Sequence, residues 1–167
     1  MKKIILLISL LLLLNGCALL PEKDDNDVLY LSLIDSLNLR DSSGFIAKSE
    51  IFDVTFELSE LNNGYRYYVT IDNPKYAMYG VSILAIEDGV DYSDKMAANA
   101  GVFEDNDYYL IPGQANPSKG YVKGISISGI SNSLEEKPKL KVIVQWHSSK
   151  QDVRQVFLYH DFNVAGE

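Results

Sequence analysis

Between Phe52 and Ile71 the chain alternates apolar and polar residues with a period of two. Phe52, Val54, Phe56 and Leu58 are separated by Asp53, Thr55 and Glu57, and Tyr65, Tyr67, Val69 and Ile71 resume the pattern after Leu61-Asn62-Asn63-Gly64. Successive side chains of a strand point to opposite faces, so this period requires a half-buried sheet and excludes an amphipathic helix over the same stretch. Asn-Asn-Gly tolerates positive φ, so the two runs are expected to form a hairpin. Asp72-Asn73-Pro74 ends it, because proline has no N–H to give to a ladder.

Further strands are expected from Ala77 to Ile86, Tyr108 to Ile111, Gly120 to Ser128, Leu140 to Trp146 and Val153 to Phe162, with Pro112-Gly113, Asn116-Pro117 and Pro138 punctuating the gaps. Leu140, Val142, Val144 and Trp146 read as an inward face, with Lys139, Lys141, Ile143 and Gln145 opposite. Val28 to Leu39 fits a strand through Leu29, Leu31 and Leu33, the reading taken here, although Tyr30, Ile34 and Leu37 also fit a helical stripe. Lys95-Met96-Ala97-Ala98, behind a capping Ser93, predicts a short helical crossover between Ser93 and Ala100. Regular strands with turn signals between them predict an all-β fold, a sandwich of about seven to eight antiparallel strands forming one domain over 28–167.

The start of the chain has another character. Lys2 and Lys3 precede an apolar run from Ile4 to Leu14, broken only by Ser9, and Gly16 and Cys17 follow. This is the layout of a secretory signal over residues 1–16. Eleven residues, Ile4 to Leu14, fall short of the roughly 20 that a membrane-spanning helix needs. Leu14-Asn15-Gly16-Cys17 resembles the lipobox of bacterial lipoproteins. That resemblance implies a diacylglyceryl group on the Cys17 thiol, cleavage between Gly16 and Cys17, and acylation of the new amine, commonly with palmitate. More than one acyl chain is what stable anchoring demands, at about 0.8 kcal/mol per buried methylene. Ala18, rather than aspartate, implies the outer membrane in a Gram-negative cell; in a Gram-positive cell the anchor would sit on the outer face of the cell membrane. Pro21 to Asp27 has no apolar residue, so residues 17–27 are expected to form a lipidated, acidic and flexible tether.

Cys17 is the only cysteine, which leaves no thiol for a disulfide or a nucleophile once it is lipidated. Loss of Lys2 and Lys3 takes the net charge from −8 to −10. Such a chain repels phosphate backbones, and nucleic acid is excluded as a partner. His147 and His160 have no second ligand at metal-site spacing, and no Gly-x-Ser-x-Gly elbow is present. Gly120, Gly124 and Gly129 lack the Lys-Ser/Thr ending of a phosphate loop and read as strand glycines. Glu87, Asp88, Asp91 and Asp94 in one loop, with Glu104, Asp105 and Asp107 in the next, read first as solvated acids. They are also the candidate calcium ligands, although Gly89 has no distal glutamate in the register of a calcium loop.

Tyrosine is enriched, with 11 residues, and serves both strands and binding surfaces. In Tyr67-Tyr68 and Tyr108-Tyr109 the rings must face opposite ways, so Tyr68, Tyr108 and Tyr109 are the candidate binding surface. Over residues 50–163 the strand and turn grammar resembles bacterial immunoglobulin-like or fibronectin-like modules, which implies architecture only. No catalytic set, metal site or cofactor is expected. The expected function is a non-enzymatic binding or assembly module, held to the membrane through Cys17 and facing an envelope protein or glycan. Two alternatives are an envelope hydrolase or carbohydrate-active enzyme using the loop carboxylates, and an immunity lipoprotein that occludes the target of a toxin or phage.

Overall fold

A computed structural model describes residues 24–148 and 152–164. The expected signal and Cys17 lie outside the described residues. The strands are β1 (Asp53–Leu61), β2 (Gly64–Asp72), β3 (Tyr79–Glu87), β4 (Ala98–Ala100), β5 (Gly124–Ser131), β6 (Lys139–His147) and β7 (Val153–Asp161). They form a three-stranded sheet in the order β1-β2-β5 and a four-stranded sheet in the order β4-β3-β6-β7. Every pairing between strands is antiparallel.

The two sheets enclose one core, to which alternate residues contribute. Tyr67, Val69 and Ile71 of β2 and Ile125 and Ile127 of β5 meet Val81, Ile83 and Ala85 of β3 and Leu140, Val142, Val144 and Trp146 of β6. The inward face read from the sequence of β6 is therefore the one observed. Leu61 lies opposite Gly64 across the first hairpin. Positive φ falls on Gly64 at 136°, not on Asn62 or Asn63. Gly129 lies opposite Tyr67 in the register, and a side chain there would overlap the Tyr67 ring and hydroxyl. The aromatic ring covers the gap that the glycine leaves in the sheet.

Three expectations are corrected. Val28 to Leu39 is not a strand: Asp25–Asn38 is a helix, α1. The Asp24 side chain accepts a hydrogen bond from the Asn26 N–H at 3.1 Å, and Asp25 and Asp27 lie in the first turn, where they oppose the positive end of the helix dipole. Residues read as the end of the tether thus cap and open the helix. Its stripe of Tyr30, Leu33, Ile34 and Leu37 packs on Leu84 and Ile86 of β3, Ile143 of β6 and Phe157 of β7. These four strand residues face away from the inter-sheet core. An apolar outer sheet face needs cover, and the helical stripe of α1 supplies it.

The crossover helix expected between Ser93 and Ala100 is also absent. Ser93 caps no helix; Asp91 closes a local turn instead, accepting from the Ser93 N–H at 3.0 Å and hydroxyl at 2.9 Å. The Ala97 N–H is donated to the Tyr30 hydroxyl at 2.7 Å, and Ala98–Ala100 pairs with β3. Backbone groups engaged by distant partners cannot close a local helix. Lastly, Tyr108 to Ile111 forms only isolated bridges, Met78 with Leu110 and Tyr109 with Tyr121. The strand expected from Gly120 begins at Gly124, because Pro117–Lys119 is a 3-10 turn closed by Gly120.

Candidate binding groove

After α1 the chain turns through a 3-10 segment at Ser42–Gly44 and runs beside β7. The Ile46 N–H donates to the Phe157 carbonyl at 3.0 Å, and the Tyr159 N–H donates to the Ile46 carbonyl at 3.1 Å. This strap extends the four-stranded sheet at its β7 edge, and Phe45 packs against the outer face there. Lys141 of β6 and Tyr159 of β7 are register partners on that face. Between strap and sheet lies a groove of about 450 Å³, lined by Arg40, Ser42, Phe45, Ile46, Ala47, Asp88, Lys141 and Tyr159. It is the most enclosed of four described grooves of about 400 to 450 Å³, and its size is within the range of small-ligand sites.

Its walls are aromatic and its rim is charged. Phe45 meets Phe157 edge-on at 6.1 Å and Tyr159 at 6.4 Å. The Arg40 guanidinium carbon sits 3.4 Å from the Phe157 ring centroid, and Lys141 Nζ is 5.8 Å from that of Phe45. Lys141 Nζ also pairs with Asp88 at 2.7 Å. Partial burial first, then the charges of Asp88 and Asp161, push the Tyr159 hydroxyl above its ordinary pKa, so at neutral pH it keeps its proton and can donate it in a hydrogen bond.

Of the candidate acids, Glu87 and Asp88 share a second groove with Glu136, Lys137 and Lys139, and the other five line none of the described grooves. Glu87 is buried, with its carboxylate 3.9 Å from Lys95 Nζ, and its N–H donates to the Tyr92 hydroxyl at 3.0 Å. Glu104 accepts from the Val102 and Phe103 N–H groups at 3.0 and 3.2 Å, and Asp107 accepts from the Tyr109 hydroxyl at 3.2 Å. Asp94 and Asp105 are exposed. Among the described residues no three histidine, cysteine or acidic side chains are grouped to hold a metal ion. Of the carboxylates that a sugar-cleaving pair would draw on, Asp91 and Glu104 line none of the four described grooves.

The candidate tyrosines do not share one surface. Tyr68 lies on the outer face of the three-stranded sheet, opposite Glu57 and Ser128. Tyr108 packs against the inter-sheet core. Tyr109 joins Tyr79 at 6.0 Å and Tyr121 at 5.3 Å, neither of which was in the candidate set. His160 stacks on Phe56 at 4.3 Å and meets Phe162 at 4.4 Å, which ties β7 to β1 across the sandwich edge, while His147 closes β6 at the surface. Arg40, Phe45, Lys141 and Tyr159 carry no common sequence motif. Only the outward placement of Lys141 on β6 was readable. No protein-family model, curated protein or solved structure matches the chain.

Proposed function

We propose that the chain is a lipid-anchored envelope lipoprotein whose β domain is a non-enzymatic binding or assembly module, with the groove between Arg40 and Tyr159 as its working surface. The groove carries the proposal: a concave, aromatic-walled site with a few converging polar groups is the commonest form of a binding site, and it lies on the sheet face that α1 leaves uncovered. Cys17 supplies the membrane attachment through its lipid, in the outer membrane or on the outer face of the cell membrane according to envelope type. The partner is an envelope protein or glycan. The sandwich is of the immunoglobulin-like type. In support, sheets of β1-β2-β5 and β4-β3-β6-β7 correspond to strands A, B, E and C′, C, F, G of that topology.

Two measurements test this reading separately. In cells fed labelled palmitate, label should enter the protein and be lost with Cys17→Ser, which should also release the product from the membrane fraction; a labelled, membrane-bound Cys17→Ser product overturns the anchor. A photo-crosslinker at Ala47, on the groove wall, should capture an envelope component in intact cells, whereas one at Thr55, on the far sheet, should not. Equal capture from both positions overturns the groove.

A further inference from the structure

Arg40 is the cation in the groove without an acid. Five other cations, Lys75, Lys95, Lys139, Lys141 and Arg154, lie within 4 Å of a carboxylate. Among the described residues, Arg40 meets the Phe157 ring and makes no ion pair. It is also held in place. Phe157 lies 3.4 Å from the guanidinium carbon, and Gly44 is so close that a β-carbon there would come within 2.9 Å of Arg40 Cγ and Nη1; both residues line the adjoining groove, which Arg40 borders as well. A guanidinium fixed against a ring presents its N–H donors as a rigid planar fork, which matches the two coplanar oxygens of a carboxylate.

The charge of the groove narrows the ligand further. Lys141 is neutralised by Asp88 at 2.7 Å, so Arg40, Lys141 and Asp88 together leave one positive charge for a ligand. A monoanion satisfies that charge, whereas a dianionic phosphate monoester would bring an uncompensated charge into a strongly acidic protein. Phe45, Ile46 and Tyr159 provide apolar wall next to the fork.

We infer that the groove binds a monocarboxylate joined to an apolar or ring-bearing group, with Arg40 gripping the carboxylate and Gly44 acting as a positioning residue that leaves Arg40 room to stack. The inference rests on the groove being a binding site and is independent of the anchor. Isothermal titration of the full chain in detergent, with N-acetylphenylalanine, its amide and inorganic phosphate, tests it. N-acetylphenylalanine should bind at least tenfold more tightly than either of the others. Arg40→Lys, which keeps the charge and loses the fork, should weaken it about tenfold, and Gly44→Ala, which keeps the arginine and displaces it, should do the same. Both variants should retain the unaltered thermal midpoint within a few degrees, which separates lost recognition from lost folding. Equal binding of acid and amide, tighter binding of phosphate, full affinity in both variants, or no saturable binding of N-acetylphenylalanine each overturns the inference. None of these outcomes touches the Cys17 measurement, and capture at Ala47 without carboxylate binding would leave the groove standing and remove only the ligand class.

Discussion

Replacing Leu33 and Leu31 by alanine, one at a time, asks whether the docking of α1 is what stabilises the outer face of the four-stranded sheet. The two residues share one helix and one side chain, so the change in helix propensity is common to both and amounts to a few tenths of a kcal/mol. Their environments differ: Leu33 is 0% exposed among Tyr30, Leu84 and Phe157, whereas Leu31 is 41% exposed. Truncating a fully buried leucine removes its transfer energy and leaves a cavity, at a cost of about 2–5 kcal/mol. At Leu31 water fills the space, no cavity forms, and the cost stays below about 1 kcal/mol. At roughly 2–4 °C per kcal/mol for a domain of this size, Leu33→Ala should lower the thermal midpoint by about 5–15 °C and Leu31→Ala by no more than about 4 °C. Leu37, also 0% exposed, should behave like Leu33. Thermal melts and urea titrations of the chain beginning at Ala18 read all three. Losses at Leu31 as large as those at Leu33 and Leu37 would match a strand that buries Leu29, Leu31, Leu33 and Leu37 on one face, and would refute helical docking.

Tyr30→Phe should cost about 1–3 kcal/mol in urea unfolding, because it strands the buried Ala97 N–H that now donates to the Tyr30 hydroxyl at 2.7 Å; an unchanged midpoint would show that this bond contributes nothing. Gly129→Ala should cost about 1–3 kcal/mol by driving a methyl into the Tyr67 ring. Combining it with Tyr67→Leu should give less than the sum of the two single losses, and strict additivity would contradict the contact. Partial burial lowers the pKa of His160 below 6.5, against the opposing pull of Asp161. The unfolded chain therefore takes up a proton at a higher pH than the folded one, so this contribution is fully present above about pH 6.5 and is lost as pH falls toward the folded pKa. The midpoint should drop between pH 7.5 and 5.5, and His160→Phe, which keeps a ring against Phe56 and Phe162, should reduce that drop; an equal drop in the variant would place its source elsewhere.

Local pattern determined most of the sheet by itself. Alternation placed β1, β2 and β6 to within three residues at each end, and assigned Val142 and Val144 to the core, because a period of two has one geometric meaning on a pleated strand. Tyr67 and Tyr68 faced opposite ways for the same reason. Where the period was ambiguous, tertiary structure decided. Residues 28 to 38 satisfied either repeat, and the helix prevailed because Leu84, Ile86, Ile143 and Phe157 presented a second apolar face that needed covering. The continuous apolar run from Val81 to Ile86 already implied burial on both sides of β3, but not what would cover the outer one.

The groove was legible least of all. Arg40 follows a helix, Phe45 lies on a strap, and Lys141 and Tyr159 lie on adjacent strands, so their meeting depends on the pairing of β6 with β7 and on the path taken after α1. The loop acids, by contrast, stood out in the sequence because they are close in number, yet the fold gives Glu87, Asp88, Asp91, Glu104 and Asp107 separate partners and leaves Asp94 and Asp105 exposed. What the sequence determined alone was local: a single cysteine, an acidic charge, and strands whose faces follow from alternation. Tertiary structure decided which faces were covered and which side chains converged, since contact between residues far apart in the chain is a property of packing and carries no local signature.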